Sequence, residues 1–292
     1  MKKVLITGIE GFTGKHLSPY LKKNGYDVYG TSLRYSDDKI YKCDITDEEN
    51  ILHVLKLVKP DFIIHLAGIS FVADEDIINV YKINTIGSLN LLSSVDKLGL
   101  NPTKILLSSS ATVYGNQGLE LLDESLQPKP ANHYFMSKYA VERLAENYFD
   151  KLNIIVTRPF NYTGIGQDEN FLIPKIVKHF KENKRVIELG NLDVSREFND
   201  ISYVCEAYKK LLECEKKSEV VNIASNRGIK LLDVIDIMNK ISNYNIEVKV
   251  NPAFVRKNEI KSLTGSTVKL FGMIGYIKQK EFKDTLVEMY EN

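Results

Sequence analysis

The chain opens on an unbroken apolar run, Val4, Leu5 and Ile6, closed by Thr7 and followed at once by GIEGFTG at positions 8 to 14. Behind the glycines, Leu17, Tyr20 and Leu21 recur at helical spacing, so the pattern predicts strand, glycine turn, helix. A short apolar run without alternation reads as a strand buried on both faces, as in a parallel sheet. Further runs of this kind are DVYGTS (27 to 32), DFIIHLAG (61 to 68), KILLSSSATVYG (104 to 115) and NIIVTRPFN (153 to 161), with helical stretches such as 76 to 99 and 134 to 150 between them. Strands alternating with helices predict an α/β fold built on a Rossmann-type, doubly wound parallel sheet. After Asn161 the pattern loosens into FLIPKIVKHFKEN, VIELGNLDVSREF, a helix near 202 to 214, the strand EVVNIAS, a helix near 230 to 242 and IEVKVNP. The expectation is a first domain over 1–160, its last strands contributed by roughly 198–225, and a smaller α/β C-terminal domain over 161–292. No repeat, low-complexity segment or Pro/Gly/Ser linker separates the two, so they should pack tightly.

A glycine turn between strand and helix lets backbone N–H groups approach a ligand closely, at a helix end that favours negative charge. Gly8, Gly11 and Gly14 are spaced GxxGxxG, and in this setting they describe a phosphate cradle. In a doubly wound sheet ligands sit beyond the carboxyl ends of the strands. After the second run comes Gly30-Thr31-Ser32-Leu33-Arg34, where a carboxylate would bind the 2′-hydroxyl of an adenosine ribose; none is present. Ser32 and Arg34 can instead receive a 2′-phosphate, which favours NADPH over NADH or NAD, while Asp44 can accept from the adenine amino group.

Composition narrows the partners. With Lys+Arg 39 against Asp+Glu 38 the net charge is +1, so no broad field draws nucleic acid or an anionic membrane. The start, MKKVLITG, has no signal-peptide core, and no apolar run reaches membrane-span length, so a cytoplasmic protein is expected. Cys43, Cys205 and Cys214 lack CxxC spacing and are read as packing residues, with Cys205 on a helix face. The five histidines lack metal-ligand spacing, so no metal is expected.

The chemical signal is YFMSK, in which Tyr134 and Lys138 stand four apart on one helix face. A phenol moves protons near neutral pH only when nearby positive charge favours its anion, which Lys138 can supply. The hydroxyl-rich end of SSSATVYG precedes the helix by the loop needed to bring Ser110 beside Tyr134.

GIEGFTG, HLAG (65 to 68), Asn84 in INTIGSLNLL, SSSATVYG, Tyr134/Lys138 and RPFNYTGIG (158 to 166) together resemble, in order and nearly end to end, the extended short-chain dehydrogenase/reductases that modify nucleotide-activated sugars. The resemblance implies Tyr134 as acid/base, Lys138 on the nicotinamide ribose and Ser110 on the substrate oxygen, with Thr112 close by. It also implies a cofactor lining of Gly8, Gly11, Phe12, Gly14, Ile45, Leu66, Ala67, Gly68, Asn84 and Pro159. More narrowly, GNLDVSREF (190 to 198) and NPAFVRKNE (251 to 259) resemble the GDP-mannose 4,6-dehydratase and GDP-4-keto-6-deoxymannose reductase branch. That implies a GDP-sugar site of Asn161, Lys175, Arg196, Arg256 and Glu259. Relatives of this kind often form homodimers through the two long helices.

Where a dehydratase of this family has a carboxylate and the fucose-synthase type a cysteine, two residues after the serine, this chain has Thr112. A threonine hydroxyl is a poor acid and base, so dehydration and 3,5-epimerisation lose their expected group. The expectation is therefore NAD(P)H-dependent reduction at C4 of a GDP-linked 4-keto-6-deoxyhexose. The alternative is an NDP-sugar 4-epimerase that retains NAD, favoured by SSSATVYG; a 4,6-dehydratase or a non-catalytic NADP(H) sensor ranks lower.

Overall fold

The structure, a computed structural model, describes residues 1–70, 76–255 and 259–292. Strand β1 (Lys3–Thr7) takes the first apolar run and helix α1 (Phe12–Lys23) follows the glycine turn. Then come β2 (Asp27–Ser32), β3 (Ile40–Lys42), α2 (Glu48–Val58) and β4 (Phe62–His65). Helices α3 (Ile77–Tyr81) and α4 (Gly87–Lys97) are joined by one π-helical turn, Lys82–Ile86. Strand β5 (Lys104–Ser108), α5 (His133–Glu146) and β6 (Ile154–Pro159) complete the first half.

The second half runs β7 (Tyr162–Thr163), α6 (Leu172–Lys181), β8 (Val186–Leu189), β9 (Ser195–Arg196), β10 (Asn199–Asp200), α7 (Ile201–Glu213) and β11 (Glu219–Ile223). It ends with β12 (Ile229–Lys230), α8 (Leu231–Ser242), β13 (Glu247–Val250), β14 (Ser262–Leu263), α9 (Val268–Ile274) and α10 (Phe282–Glu291).

Seven strands form one parallel sheet in the order β11-β6-β5-β4-β1-β2-β3. The alternation of side chains sorts its residues between two cores. Val4, Ile6, Ile64, Leu106 and Ile155 pack under α1 and α7, while Leu5, Ile63, Ile105, Leu107 and Ile154 pack under α2, α4 and α5. Helices therefore cover both faces, as the long apolar runs require. Helix α2 illustrates the local logic: Asp47 caps it by accepting from the Glu49 amide at 3.0 Å, and Ile51, Val54, Leu55 and Val58 make its buried stripe. A third core, centred on Ile176, Phe180, Ile187, Val234, Met238 and Leu286, gathers α6, α8 and α10 against paired β8 and β13.

Three runs stop short of the sequence pattern. The strand within KILLSSSATVYG ends at Ser108, because the Ser110 hydroxyl accepts from the Thr112 amide at 3.2 Å and opens a 3-10 turn over Ala111–Tyr114. DFIIHLAG leaves the sheet after His65, so Leu66, Ala67 and Gly68 are loop. The long helix over 76 to 99 carries the π-helical turn. Strand order reverses between β1 and β4, and the crevice at that reversal is where a doubly wound sheet holds its ligand.

Candidate active site

At the end of β1 the chain turns on Gly8, whose φ of +69° is left-handed and whose Cβ, if present, would lie 2.8 Å from the Ala67 backbone. Gly14 lets α1 ride on the loop: a Cβ there would meet the Ile9 carbonyl at 2.5 Å. The α1 N-terminus has Gly11 as its cap and no side-chain hydrogen bond to its amides. These amides, with a backbone that can approach closely, fit the pyrophosphate of a dinucleotide. Phe12 packs beside this turn, stacked on Tyr162 at 6.1 Å, and the Thr13 hydroxyl meets the Tyr162 hydroxyl at 2.7 Å.

At the C-terminal end of β2, the serine read from sequence as a 2′-phosphate ligand is hydrogen-bonded within the protein. Ser32 is buried, and its hydroxyl donates to the Glu10 carboxylate at 2.7 Å and accepts from the Arg34 and Tyr35 amides at 3.0 and 3.3 Å. Arg34 is exposed. A carboxylate from the β1–α1 loop thus stands at the end of β2. Asp44 accepts from both the amide and the hydroxyl of Thr46 at 2.8 Å, which fixes its loop, and buried Ile45 fits over Gly87.

The loop after β4 carries Leu66, Ala67 and Gly68 along the crevice, with the Ala67 amide donating to the Thr7 hydroxyl at 3.2 Å. Gly68 leaves room for Asn84 and Lys138: a Cβ there would lie 2.8 Å from Asn84 Oδ1 and 3.3 Å from Lys138 Nζ. Asn84 sits in the π-helical turn, a distortion common at functional sites. It accepts from the Ile69 amide at 2.8 Å and donates to the Ser137 hydroxyl at 3.0 Å.

Helix α5, capped by Asn132 at the Phe135 amide, presents Tyr134 and Lys138 one turn apart. Burial pushes the Tyr134 phenol up to about 12, and the neighbouring Ser110 hydroxyl pulls it the other way. Ser110 in turn meets the Thr112 hydroxyl at 2.8 Å. Lys138 is buried, donates to the Ser108 carbonyl at 3.1 Å, and is lowered by burial to about 8. Of the four residues read as chemical from sequence, Ser110 and Thr112 are hydrogen-bonded, Tyr134 lies near enough to Ser110 to feel its hydroxyl, and Lys138 stands one helix turn from Tyr134. Pro159 ends β6 at the same, C-terminal edge of the sheet.

The residues expected to hold a nucleotide sugar fall into two groups. Arg196 donates to Glu259 at 2.7 Å and to the Ser195, Ile260 and Lys261 carbonyls, so these two are one unit on β9 and the segment before β14. Lys175, on α6, donates to the Glu188 carbonyl at 3.0 Å and lies 4.5 Å from the Phe254 ring centre. Asn161 is exposed just after β6, its carbonyl accepting from the Asn199 amide at 2.9 Å. Arg256 lies outside the described residues.

Comparison with known proteins places the chain in a family. The NAD dependent epimerase/dehydratase family matches residues 4–224. The chain belongs to that family. It is 37% identical to a GDP-6-deoxy-D-talose 4-dehydrogenase of Aggregatibacter actinomycetemcomitans, over 99% of this chain and 97% of that one. A GDP-6-deoxy-D-mannose reductase of Pseudomonas aeruginosa is 30% identical over 98% and 95%. The structure of RMD from Pseudomonas aeruginosa complexed with NADPH superposes with a TM-score of 0.88 at 28% identity, covering 100% of this chain and 98% of that one. As a member of the family the chain is an NAD(P)-dependent enzyme, and the glycine loop above is the seat that fits the cofactor.

Several buried polar residues around these elements had no role assigned from the sequence. His65, at the end of β4, bridges the Thr7 and Ser88 hydroxyls at 2.7 and 3.0 Å, and burial lowers it to about 3. Glu142 and Arg158 form a buried two-pronged ion pair at 2.7 and 3.0 Å that bolts α5 to β6, with Ser109 donating to the same carboxylate. Glu197, next to Arg196, is fully buried and accepts five hydrogen bonds, from Asn199, the amide and hydroxyl of Ser225, and the Asn226 and Gly265 amides. The only hint at each was a charged residue in an apolar strand or beside a motif. Cys43 and Cys205 are buried, matching their reading as packing residues. A recess of about 690 Å³ opens at the opposite, N-terminal end of the strands beside Phe62, Lys104 and Cys214. There Lys104 caps α7 through the Cys214 and Lys216 carbonyls at 2.6 and 2.5 Å. No helix among the described residues is long and apolar enough to cross a membrane.

Proposed function

We propose that the protein reduces the C4 ketone of a GDP-linked 4-keto-6-deoxyhexose, with Tyr134 as the proton donor. The observation that carries the reading is the Thr112–Ser110 hydroxyl pair beside Tyr134, with Lys138 one turn away. The substrate class is supported by the two relatives whose names specify GDP-6-deoxyhexoses. Their sugars, 6-deoxytalose and 6-deoxymannose, differ only at C4, so a shared ketone precursor suits both.

A bound NAD(P)H supplies the hydride. Ser110 and Tyr134 donate hydrogen bonds to the ketone oxygen and so polarise it, and Tyr134 passes its proton to that oxygen as the alkoxide forms. The positive charge of Lys138 stabilises the resulting phenolate until it is reprotonated. Thr112, aligned on Ser110, orients the serine hydroxyl. Arg196, set by Glu259, is the proposed contact for the diphosphate, and the unit built from α6, α8 and α10 is the proposed nucleotide-sugar domain. The same reading carries a homodimer through α3, the π-helical turn, α4 and α5, whose Ile77, Ile78, Ile86 and Met136 are exposed.

A second reading, 4-epimerisation of a UDP-sugar, is favoured by the UDP-glucose 4-epimerase of Thermotoga maritima, solved with UDP-glucose, which superposes with a TM-score of 0.91 at 26% identity. The test follows NADH and NADPH absorbance with freshly made GDP-4-keto-6-deoxymannose, and in parallel looks for interconversion of UDP-glucose and UDP-galactose. Cofactor oxidation with the GDP sugar, abolished by Tyr134→Phe with dinucleotide binding retained, supports the ketoreductase. UDP-sugar interconversion without added cofactor supports the epimerase. Full activity of Tyr134→Phe refutes the proton-donor role in both.

A further inference from the structure

We propose that Glu10 sets the cofactor preference, directing this site to NAD(H) over NADP(H). The inference rests on the dinucleotide seat at the β1–α1 turn and extends it to the adenosine ribose. In a Rossmann fold that ribose lies over the C-terminal end of β2, where a carboxylate accepts from the ribose hydroxyls and an arginine accommodates a 2′-phosphate.

The residues Gly30 to Arg34 contain no acid, and sequence alone therefore points to the phosphorylated cofactor. The fold reverses that argument. Glu10 reaches from the β1–α1 loop across to β2, where one carboxylate oxygen accepts from the Ser32 hydroxyl at 2.7 Å and the other from the Leu33 amide at 3.3 Å. A carboxylate thus stands at the end of β2 although it is 22 residues away in the chain. The two contacts hold it at both oxygens, each of which keeps further lone pairs for a ribose hydroxyl.

The same contacts remove Ser32 as a phosphate reader. Its single proton goes to Glu10, and its oxygen accepts from the Arg34 and Tyr35 amides at 3.0 and 3.3 Å, so the buried hydroxyl has no donor left for an anion. A ribose with free hydroxyls donates to Glu10. A ribose 2′-phosphate offers only acceptor oxygens and about two negative charges next to a carboxylate, which is repulsive at this range.

The test is the equilibrium binding of NADH and NADPH to the purified full-length protein, read by calorimetric titration and by the fluorescence of the bound nicotinamide. The expected result is an NADH Kd lower than the NADPH Kd by about tenfold or more, equivalent to about 1.4 kcal/mol. Glu10→Gln, which keeps the shape and removes the charge, should close that gap to about threefold or less, mainly by tightening NADPH. Tighter binding of NADPH by the unaltered protein, lost in Arg34→Ala, would overturn the proposal and leave the active-site reading intact. So would an unchanged ratio in Glu10→Gln. Binding of neither nucleotide would remove the cofactor seat itself, and the proposal with it. The unaltered protein decides the direction of preference even if the variant fails to fold.

Discussion

Removing the carboxylate of Glu142 strands a buried charge. Glu142 and Arg158 are only 2% and 5% exposed, and the guanidinium is held by two hydrogen bonds from Nε and Nη2. Glu142→Leu leaves that buried guanidinium without its counter-ion, a change that costs about 3–5 kcal/mol. Unfolding entropy near 2.1 cal/mol/K per residue gives roughly 0.6 kcal/mol/K for a chain of this length, so Tm should fall by about 5–8 °C. The paired variant Glu142→Leu/Arg158→Met removes both charges and should recover most of the loss, because a well-packed apolar pair replaces a desolvated ionic one. Recovery should stop short of the original value, since Arg158 also lies 4.7 Å from the Tyr114 ring centre, a cation–π contact worth about 1–2 kcal/mol when desolvated. Differential scanning calorimetry reads all three proteins. A fall below about 2 °C in the single variant, or a double variant no more stable than the single, would refute the view of this pair as a buried charge-compensated bolt.

Three further outcomes follow from the site. With Lys138 lowered to about 8 and Tyr134 raised to about 12, kcat/KM for ketone reduction should fall as pH rises through about 8, when the ammonium loses its proton while the phenol keeps its own. A profile flat to pH 10, or one unchanged in Lys138→Met, contradicts that assignment. Gly8→Ala should weaken NAD(P)H binding more than about tenfold, since a φ of +69° and a backbone 2.8 Å away admit no Cβ; titration measures it, and an unaltered Kd would show that the turn tolerates displacement. His65, lowered to about 3 by burial, stays neutral in the folded protein while the unfolded chain takes up a proton below about 6.5. The unfolded state then binds more protons, so stability falls with acidification across that window by up to about 1.4 kcal/mol per pH unit, and His65→Gln should flatten the slope of denaturant midpoints between pH 6.5 and 4.5.

The sheet was legible because apolar runs such as VLIT and DVYGTS are buried on both faces and carry one unambiguous signal; β2 coincides with DVYGTS, residues 27 to 32. The Tyr134 and Lys138 pair was legible because its spacing is local to one helix turn. What escaped were interactions between segments distant in sequence. Glu10 looks like a solvent residue in a glycine loop until the β1–β2 pairing brings Ser32 beneath it. Arg196 and Glu259 were each expected at a ligand, yet their mutual ion pair spans 63 positions and depends on β9 pairing with β14. Hydroxyl and glycine signals likewise marked the end of KILLSSSATVYG as chemical, while the local serine turn that ends the strand at Ser108 had no periodicity to betray it.

The carboxylate of Glu197 has a mechanical consequence for the path of substrate entry. Its five donors come from three separate stretches, one after β9, one after β11 and one after β14. Rotation of the β12-β9-β14 sheet away from the edge of the seven-stranded sheet would break several of these bonds in a single movement and leave an anion in a dry seam. Such a seam resists gaping, in the way a pinned joint differs from a hinge. Arg196 and Glu259 therefore keep a fixed offset from the end of β11, which leaves this small sheet little freedom for a clamshell motion against the seven-stranded one.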